Sequence, residues 1–64
     1  MTNFNDVIAD LNASGLTDYR IAKLVDTAQS NIHVLRTVPG REPRYHLGAR
    51  LVDLLEERRQ ASAA

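Results

Sequence analysis

Four polar side chains lie close together near the middle of the chain. They are two amides, a hydroxyl and an imidazole, contributed by Gln29, Ser30, Asn31 and His33. These groups offer donors and acceptors of hydrogen bonds, and none of them carries a permanent charge. An amide can bind adenine N6 and N7 bidentately, a hydroxyl can bind several bases, and an apolar side chain such as Val34 can contact a thymine methyl group. The stretch therefore predicts hydrogen bonding to the edges of nucleic-acid bases.

Patterns typical of catalysis and metal binding do not occur in the sequence. The chain has no cysteine, and its two histidines, His33 and His46, are far apart. A structural zinc site is therefore not expected. There is no glycine-rich phosphate loop and no Ser/His/Asp set in a recognisable context. We expect a protein that is not an enzyme and that needs neither cofactor nor metal.

The charges of the chain are unevenly distributed. The formal net charge is zero, with eight Lys and Arg against eight Asp and Glu. Residues 19–50 carry six basic and two acidic residues, which gives +4; residues 1–18 carry −3 and residues 51–64 carry −1. A neutral total can hide a positive face suited to phosphate binding. The residues expected to bind phosphate are Arg20, Arg36, Thr37, Arg41 and Arg44.

The first two of the predicted helices lie in the N-terminal half. A stripe of apolar residues with helical spacing predicts a helix over about residues 3–13. Gly15 is expected to end that helix in the left-handed conformation. The second helix is expected to run from an N-cap at Thr17 to about Val25. The residues predicted for its buried side are Ile21, Ala22, Leu24 and Val25.

The other two predicted helices complete an all-α fold. After a turn at residues 26–28, a third helix is expected to run to about Arg36, with Ile32 and Leu35 directed inward. A last helix is expected over about residues 43–59, because Pro43 suits the first position of a helix. The charged run at its end is interpreted as a solvated helix terminus. The whole is predicted to be one domain over residues 1–60 with a frayed tail at 61–64.

The segment Thr17–Thr37 resembles the helix-turn-helix of phage repressors and Cro proteins, the lambda-repressor-like family. Ala22 stands where the family has a small residue that allows the two helices to approach, and Gln29-Ser30 opens the second of them. The apolar positions of the motif are occupied by Ile21, Val25, Ile32 and Leu35. Arg41-Glu42-Pro43 is similar to the family's Arg-x-Pro element. The resemblance covers about Asp6 to Leu55 and implies a small domain of four to five helices.

The turn between these two helices departs from the family pattern. The family usually has glycine where this chain has Asp26, and a larger apolar residue where it has Thr27. The first position tends to require a positive φ, which aspartate tolerates better than most residues other than glycine. The two departures bear on the exact geometry of the turn more than on the motif itself.

The resemblance implies a sequence-specific regulator that binds double-stranded operator DNA. The third helix would enter the major groove with its N-terminal residues at base edges. Such proteins usually act as symmetric dimers on palindromic sites, so we expect a homodimer. The last helix is the expected dimer element, because its apolar arc is wider than one small core needs. The arc comprises Leu47, Leu51, Val52, Leu54 and Leu55; the alternative is that all of them pack within the monomer. Sixty-four residues leave no room for a separate ligand-binding domain. This favours a Cro-like phage or prophage repressor without a small-molecule ligand.

Two alternatives remain open. The chain could be an antitoxin-type or accessory autoregulator with the same fold, or a protein-interaction module whose third helix packs into a protein groove. No apolar run approaches the roughly 20 residues needed to cross a bilayer. The N-terminus has no basic region before its apolar residues, which argues against a secretory signal. We expect no membrane association and a cytoplasmic location, on DNA in a bacterial host cell.

Overall fold

A computed structural model describes residues 3–63 of the chain, with side chains from residue 3 to residue 61. These residues form an all-α structure and contain no strand. None of their helices has the length and apolar character needed to span a bilayer. The helices are α1 (Phe4–Ala13), α2 (Asp18–Leu24), α3 (Gln29–Thr37) and α4 (Tyr45–Ala63).

All four helices contribute to one hydrophobic core. Helix α3 packs against α1 and α2, and α4 packs against α1. The inward orientation predicted for Ile32 and Leu35 is confirmed, since both are buried. Each large aliphatic side chain contributes about 1.5–3 kcal/mol when it is fully buried. The largest fully buried side chains are Ile8, Leu11, Ile21, Ile32 and Leu51.

Side chains cap the first two helices at their N-termini. Asn3 accepts a hydrogen bond from the backbone N–H of Asn5 at 2.9 Å, at the start of α1. Thr17 accepts from the backbone N–H of Arg20 at 3.2 Å, at the start of α2. Each bond satisfies an amide that has no partner within its helix. The cap predicted at Thr17 is therefore confirmed.

Helix α1 ends in a Schellman motif. The N–H of Gly15 donates to the carbonyl of Asn12 at 3.0 Å, and the N–H of Leu16 donates to the carbonyl of Leu11 at 3.2 Å. This pair of bonds requires a left-handed residue between them. Gly15 has φ +105°, as the sequence predicts.

Helix α2 ends in the same motif without glycine. The N–H of Asp26 donates to the carbonyl of Lys23 at 3.4 Å, and the N–H of Thr27 donates to the carbonyl of Ala22 at 2.9 Å. Asp26 occupies the left-handed position with φ +58°. Asp26 therefore has the positive φ that the sequence analysis associated with this position.

Leu24 does not lie on the buried side of α2, where the sequence placed it. Ile21, Ala22 and Val25 are buried, whereas 51% of Leu24 is exposed. With 3.6 residues per turn, Leu24 lies roughly 100° around the helix from the centre of the face formed by those three residues. The helices that cover α2 do not reach that far around it. Leu24 is therefore a surface residue.

Helix α4 differs from its predicted bounds at both ends. It begins at Tyr45 rather than Pro43, and the N–H of Gly48 donates to the carbonyl of Arg44 at 2.8 Å. The ring of Pro43 lies beside Gly48, where a Cβ would be 3.4 Å from its Cγ, so this proline precedes the first turn. The helix continues to Ala63, because alanine, glutamine and arginine are strong helix formers and no glycine or proline follows Arg59. Of the tail predicted to fray, only Ala64 lies outside the described residues.

The C-terminal half of α4 is attached to α1. Arg58 donates from Nε to Ser14 Oγ at 3.2 Å and from Nη2 to the Ser14 carbonyl. The interpretation of this run as a solvated helix end is therefore wrong for Arg58. It fits Arg59 better, whose ion pair with Asp10 has an N–O distance of 3.4 Å and is exposed on both sides.

Candidate nucleic-acid interface

Helix α3 presents a polar face directly opposite its buried one. The predicted base-reading residues Gln29, Ser30, Asn31 and His33 are all exposed, and Val34 is half-buried. Successive residues are rotated by about 100°, so Ser30, His33 and Thr37 form a stripe opposite Ile32 and Leu35. The same stripe includes the accessible part of Val34. The structure therefore brings Ser30, His33 and part of Val34 together on this stripe, whereas Gln29 and Asn31 lie on its two sides.

The N-terminus of α3 is uncapped, unlike those of α1 and α2. Its N-cap residue is Ala28, whose methyl group cannot accept a hydrogen bond. Alanine at this position costs about 0.5–2 kcal/mol relative to serine, threonine, asparagine or aspartate. Local rules of this kind are most often broken at functional sites. The N–H of Asn31 already donates to the carbonyl of Ala28 at 3.0 Å, so the amides open to an external acceptor, such as a phosphate oxygen, are those of Gln29 and Ser30.

Asn31 is turned toward the start of its own helix. Its Nδ2 donates to Thr27 Oγ1 at 2.9 Å. Both residues line a cleft beside α3, away from the central stripe. Bidentate pairing of Asn31 with adenine requires the bond to Thr27 to break. Gln29 is free of this particular constraint, because it lies on the other side of the stripe.

Arg36 joins α2 to the stripe on α3. Its Nε donates to Asp18 Oδ2 at 3.0 Å, and its Nη2 lies 3.1 Å from His33 Nδ1. The second Asp18 oxygen accepts from Asn12 Nδ2 at 3.2 Å. Arg36 therefore has partners within the chain, and the phosphate contact predicted for it requires the ion pair to open. Asp18 faces Arg36, so its charge at the start of α2 is compensated.

Thr37 also has a partner within its helix. Its Oγ1 donates to the carbonyl of His33 at 2.8 Å. A phosphate oxygen accepts hydrogen bonds and does not donate them. Thr37 could therefore bind phosphate only by giving up this bond. Of the other predicted phosphate-binding residues, Arg20 is exposed in the first half of α2.

Arg41 and Arg44 lie on the exposed loop between α3 and α4. They border an open cleft of about 850 Å³ that runs along α3. Arg50 also lines this cleft and donates to the Val25 carbonyl at 3.4 Å. The carboxylates of Asp26 and Glu42 border it as well, so three arginines face two acids. The cleft carries a net positive charge next to the polar stripe.

Asn5 is a supporting residue that the sequence did not reveal. Its Nδ2 donates to the carbonyls of Leu35 at 2.6 Å and Val38 at 3.0 Å. Its Oδ1 accepts from the Gly40 N–H at 3.1 Å. One side chain on α1 thus fixes the end of α3 relative to the beginning of the loop that carries Arg41 and Arg44, called the arginine loop below. The only hint in the sequence was a poor helix former in the first turn of α1.

Comparison of the chain with protein-family models, curated proteins and solved structures finds no significant match. The chemistry of the interface therefore carries the functional conclusion. That chemistry is hydrogen bonding from a convex polar helix flanked by positive charge.

Proposed function

We propose that the protein is a sequence-specific DNA-binding transcriptional regulator, a Cro-like repressor of phage or prophage type. In this proposal α2 and α3 form a helix-turn-helix of the lambda-repressor-like kind. The observation that carries the proposal is the polar stripe of α3 beside an arginine-lined cleft. Nine residues give α3 a length of about 14 Å, and a B-DNA major groove is about 12 Å wide. The protein acts by binding, without catalysis, cofactor or small-molecule ligand.

The base-reading roles follow from the position of each side chain on α3. Gln29, in the first turn, pairs bidentately with adenine. Ser30 and His33 lie on the central stripe and bond to base edges, and the exposed part of Val34 contacts a thymine methyl group. Asn31 either keeps its hydrogen bond to Thr27 or replaces it with a hydrogen bond to a base. These contacts provide the sequence specificity.

The phosphate-binding roles belong to the residues around the stripe. Arg41 and Arg44 extend from the loop beside α3, and Arg20 extends from α2. The uncapped amides at the start of α3 contribute further donors. Contacts of this kind set register and affinity but carry no base preference. We place Arg36 apart from this set, because Asp18 already holds it.

The expected homodimer would use a surface formed by α2 and α4. Leu51 and Leu55, which the sequence offered for the dimer, are buried within the subunit. Leu47, Val52 and Leu54 are half-buried. The accessible apolar residues where α4 meets α2 are Leu24 and part of Leu54. They border a shallow groove with the charged residues Arg50, Asp53 and Glu57.

The groove carries one basic and two acidic residues, and two of them could pair across a two-fold axis. Arg50 and Glu57 are seven residues apart, which is about two turns and keeps them on one side of α4. A two-fold axis at the midpoint of this segment would place Arg50 opposite Glu57 of the partner subunit, and the pair would occur twice. Asp53, close to that midpoint, would lie near its own copy, so the two ion pairs must outweigh this repulsion. We propose a second copy of the chain as the occupant of the groove.

The decisive experiment is selection of preferred sites from random duplex DNA, followed by binding measurements over a range of salt concentrations. We expect a palindrome with half-sites about 10 base pairs apart. A salt-insensitive interaction, or none, would overturn the DNA-binding proposal and favour a protein-interaction module.

Gln29→Ala tests the base-reading role. It should cost about 1–3 kcal/mol on the selected site and relax the preference at one base pair. Binding of the variant to a panel of single-base substitutions measures both effects. Equal weakening on every sequence would show that Gln29 does not read a base.

Arg41→Ala tests the phosphate role. It should weaken binding to all sequences alike and flatten the slope of log K against log salt by about 0.9. Arg59→Ala is the matched control, because it removes the same charge from the part of α4 next to Asp10. A sequence-selective loss in Arg41→Ala would contradict the phosphate role.

Charge reversal tests the dimer surface independently of DNA. Arg50→Glu and Glu57→Arg should each weaken self-association in analytical ultracentrifugation, and the double variant should restore it. Leu24→Ser should also weaken self-association, and neither Arg50→Glu nor Glu57→Arg should restore it. A wild-type chain that remains monomeric on its DNA site would overturn the dimer while leaving DNA binding intact.

A further inference from the structure

The hydrogen bond between Arg36 and His33 determines the protonation pattern of the imidazole. Arg36 Nη2 lies 3.1 Å from His33 Nδ1. A guanidinium has donors only and keeps its proton in proteins. Nδ1 must therefore be the acceptor in this bond. In a neutral imidazole the proton is then on Nε2, so the ring presents an N–H donor at its other nitrogen.

The arginine itself is held in place from two other helices. Asp18 on α2 accepts from Arg36 Nε at 3.0 Å, and Asn12 on α1 donates to the other Asp18 oxygen at 3.2 Å. The Asp18 side chain is only 14% exposed, whereas that of Arg36 is 40% exposed. In the hydrogen-bonded series Asn12–Asp18–Arg36–His33, the less exposed Asp18 carboxylate thus anchors the arginine.

We propose that Asp18 and Arg36 fix His33 as an Nε2–H donor, and that His33 is thereby a specificity-determining residue for a base acceptor. The inference rests on the proposed DNA-binding function. In the major groove the acceptors are purine N7, guanine O6 and thymine O4, whereas the amino groups of adenine and cytosine donate. His33 accordingly selects an acceptor, foremost purine N7, at the base it meets. Asp18 and Arg36 are positioning residues, because they act through the ring of His33.

The first test observes the ring directly, without DNA. Long-range ¹H–¹⁵N NMR at alkaline pH, where imidazole is neutral, should show His33 in the Nε2–H form. Arg36→Ala should release the ring into a mixture of the two tautomers, and Asp18→Asn should do so partially. His46 is the internal control, since its ring packs edge-to-face on Tyr45 and should not change. A dominant Nδ1–H form of His33, or a spectrum insensitive to Arg36→Ala, would overturn the proposal.

The second test removes single acceptors from the DNA. In duplexes of the selected site, 7-deazapurine replaces one purine at a time, which exchanges N7 for C–H. We expect one position at which wild-type affinity falls about two- to tenfold, the value of one hydrogen bond. That dependence should vanish in His33→Ala and weaken in Arg36→Ala. The position read by Gln29 should keep its N7 dependence in both variants.

The remaining outcomes separate this inference from the proposed function. If no N7 dependence disappears in His33→Ala although DNA is bound, the assignment to purine N7 fails; if removal of guanine O6 or thymine O4 also shows no dependence on His33, the inference fails alone. If a methylphosphonate substitution, which removes a phosphate charge, shows the His33 dependence instead, the ring binds backbone and the specificity role is overturned. If the wild-type chain binds no DNA, the proposed function and the specificity role fail together, while the NMR result still reports the tautomer.

Discussion

The two junctions between consecutive short helices have the same hydrogen-bond pattern and different surroundings. At the end of α1 and at the end of α2, two hydrogen bonds close around one left-handed residue. That residue is Gly15 in the first junction and Asp26 in the second. The comparison shows that the same pair of hydrogen bonds can close around glycine at φ +105° and around aspartate at φ +58°.

The surroundings of the two junctions point to different roles. The first is reinforced by Arg58 from α4 and by Asn12, whose Nδ2 donates to the Leu16 carbonyl at 2.9 Å. It then enters a capped helix at Thr17. The second enters the uncapped helix α3 at Ala28, and its Asp26 borders the arginine-lined cleft. The first junction stabilises the fold, whereas the second leaves donors accessible beside the candidate DNA-binding surface.

Substitution of the glycine in the first junction should have the largest effect on stability. Gly15→Ala should destabilise the protein by roughly 1–2 kcal/mol, because a Cβ is strained at positive φ. The space is sufficient, since the added atom would lie 3.7 Å from Arg58 Nη2. Denaturant unfolding monitored by circular dichroism measures the change. Gly15→Asn is the control and should lose less, because asparagine tolerates this conformation better. Equal losses in the two variants would indicate steric rather than backbone strain.

Removal of the hydrogen bonds from Arg58 to Ser14, which act as a clamp on the first junction, should have a smaller effect on stability. Arg58→Ala should cost about 1 kcal/mol, because two hydrogen bonds from a charged donor to Ser14 are lost at a partly exposed site. Arg59→Ala provides the neighbouring control and should cost no more than about 0.5 kcal/mol, since its ion pair is exposed. Thermal melts of both variants test the difference. If Arg59→Ala proved the more costly, the clamp would not be what distinguishes the first junction.

Replacement of Asp26 in the second junction by glycine, the residue at the same place in the first, should have the smallest effect on stability. This change should stabilise the protein rather than destabilise it. Asp26→Gly should stabilise the protein by about 0.5 kcal/mol, because relief of strain at φ +58° slightly exceeds the added entropy of the unfolded chain. Asparagine also tolerates this conformation, so Asp26→Asn should leave stability nearly unchanged. Both variants remove a carboxylate from the cleft, so both should bind DNA more tightly irrespective of sequence. A destabilised Asp26→Gly would show that the carboxylate supports the turn.

Local sequence signals predicted the first three helices well. Apolar spacing, the cap at Thr17 and the glycine at position 15 act within a few residues, and the structure has each of them where expected. The last helix was predicted less well. Its start depends on how Pro43 packs beside Gly48, and its end had no stop signal to mark it. Leu24 was misplaced because an apolar residue at the edge of a helical face is buried only if another helix reaches it.

The candidate site was predicted in its residues but not in their connections. Gln29, Ser30 and His33 are exposed on α3 as expected. No local pattern connects Arg36 with Asp18, or Asn5 with the arginine loop, since these partners are 18 and 30 or more residues apart. Contacts at such separations depend on how the helices pack. They leave no periodic pattern in the chain.

The sequence by itself determined the all-α class, the left-handed turns and the set of polar residues available on α3, because these follow from short-range periodicity, capping and backbone sterics. Only the tertiary structure decided which of those side chains are free and which are held. Packing of α3 against α1 and α2 places Asp18 beside Arg36 and Asn5 beneath the start of the arginine loop. The hydrogen-bonding state of the surface is therefore a property of the packed helices, since its partners come from elements that the sequence does not place next to one another.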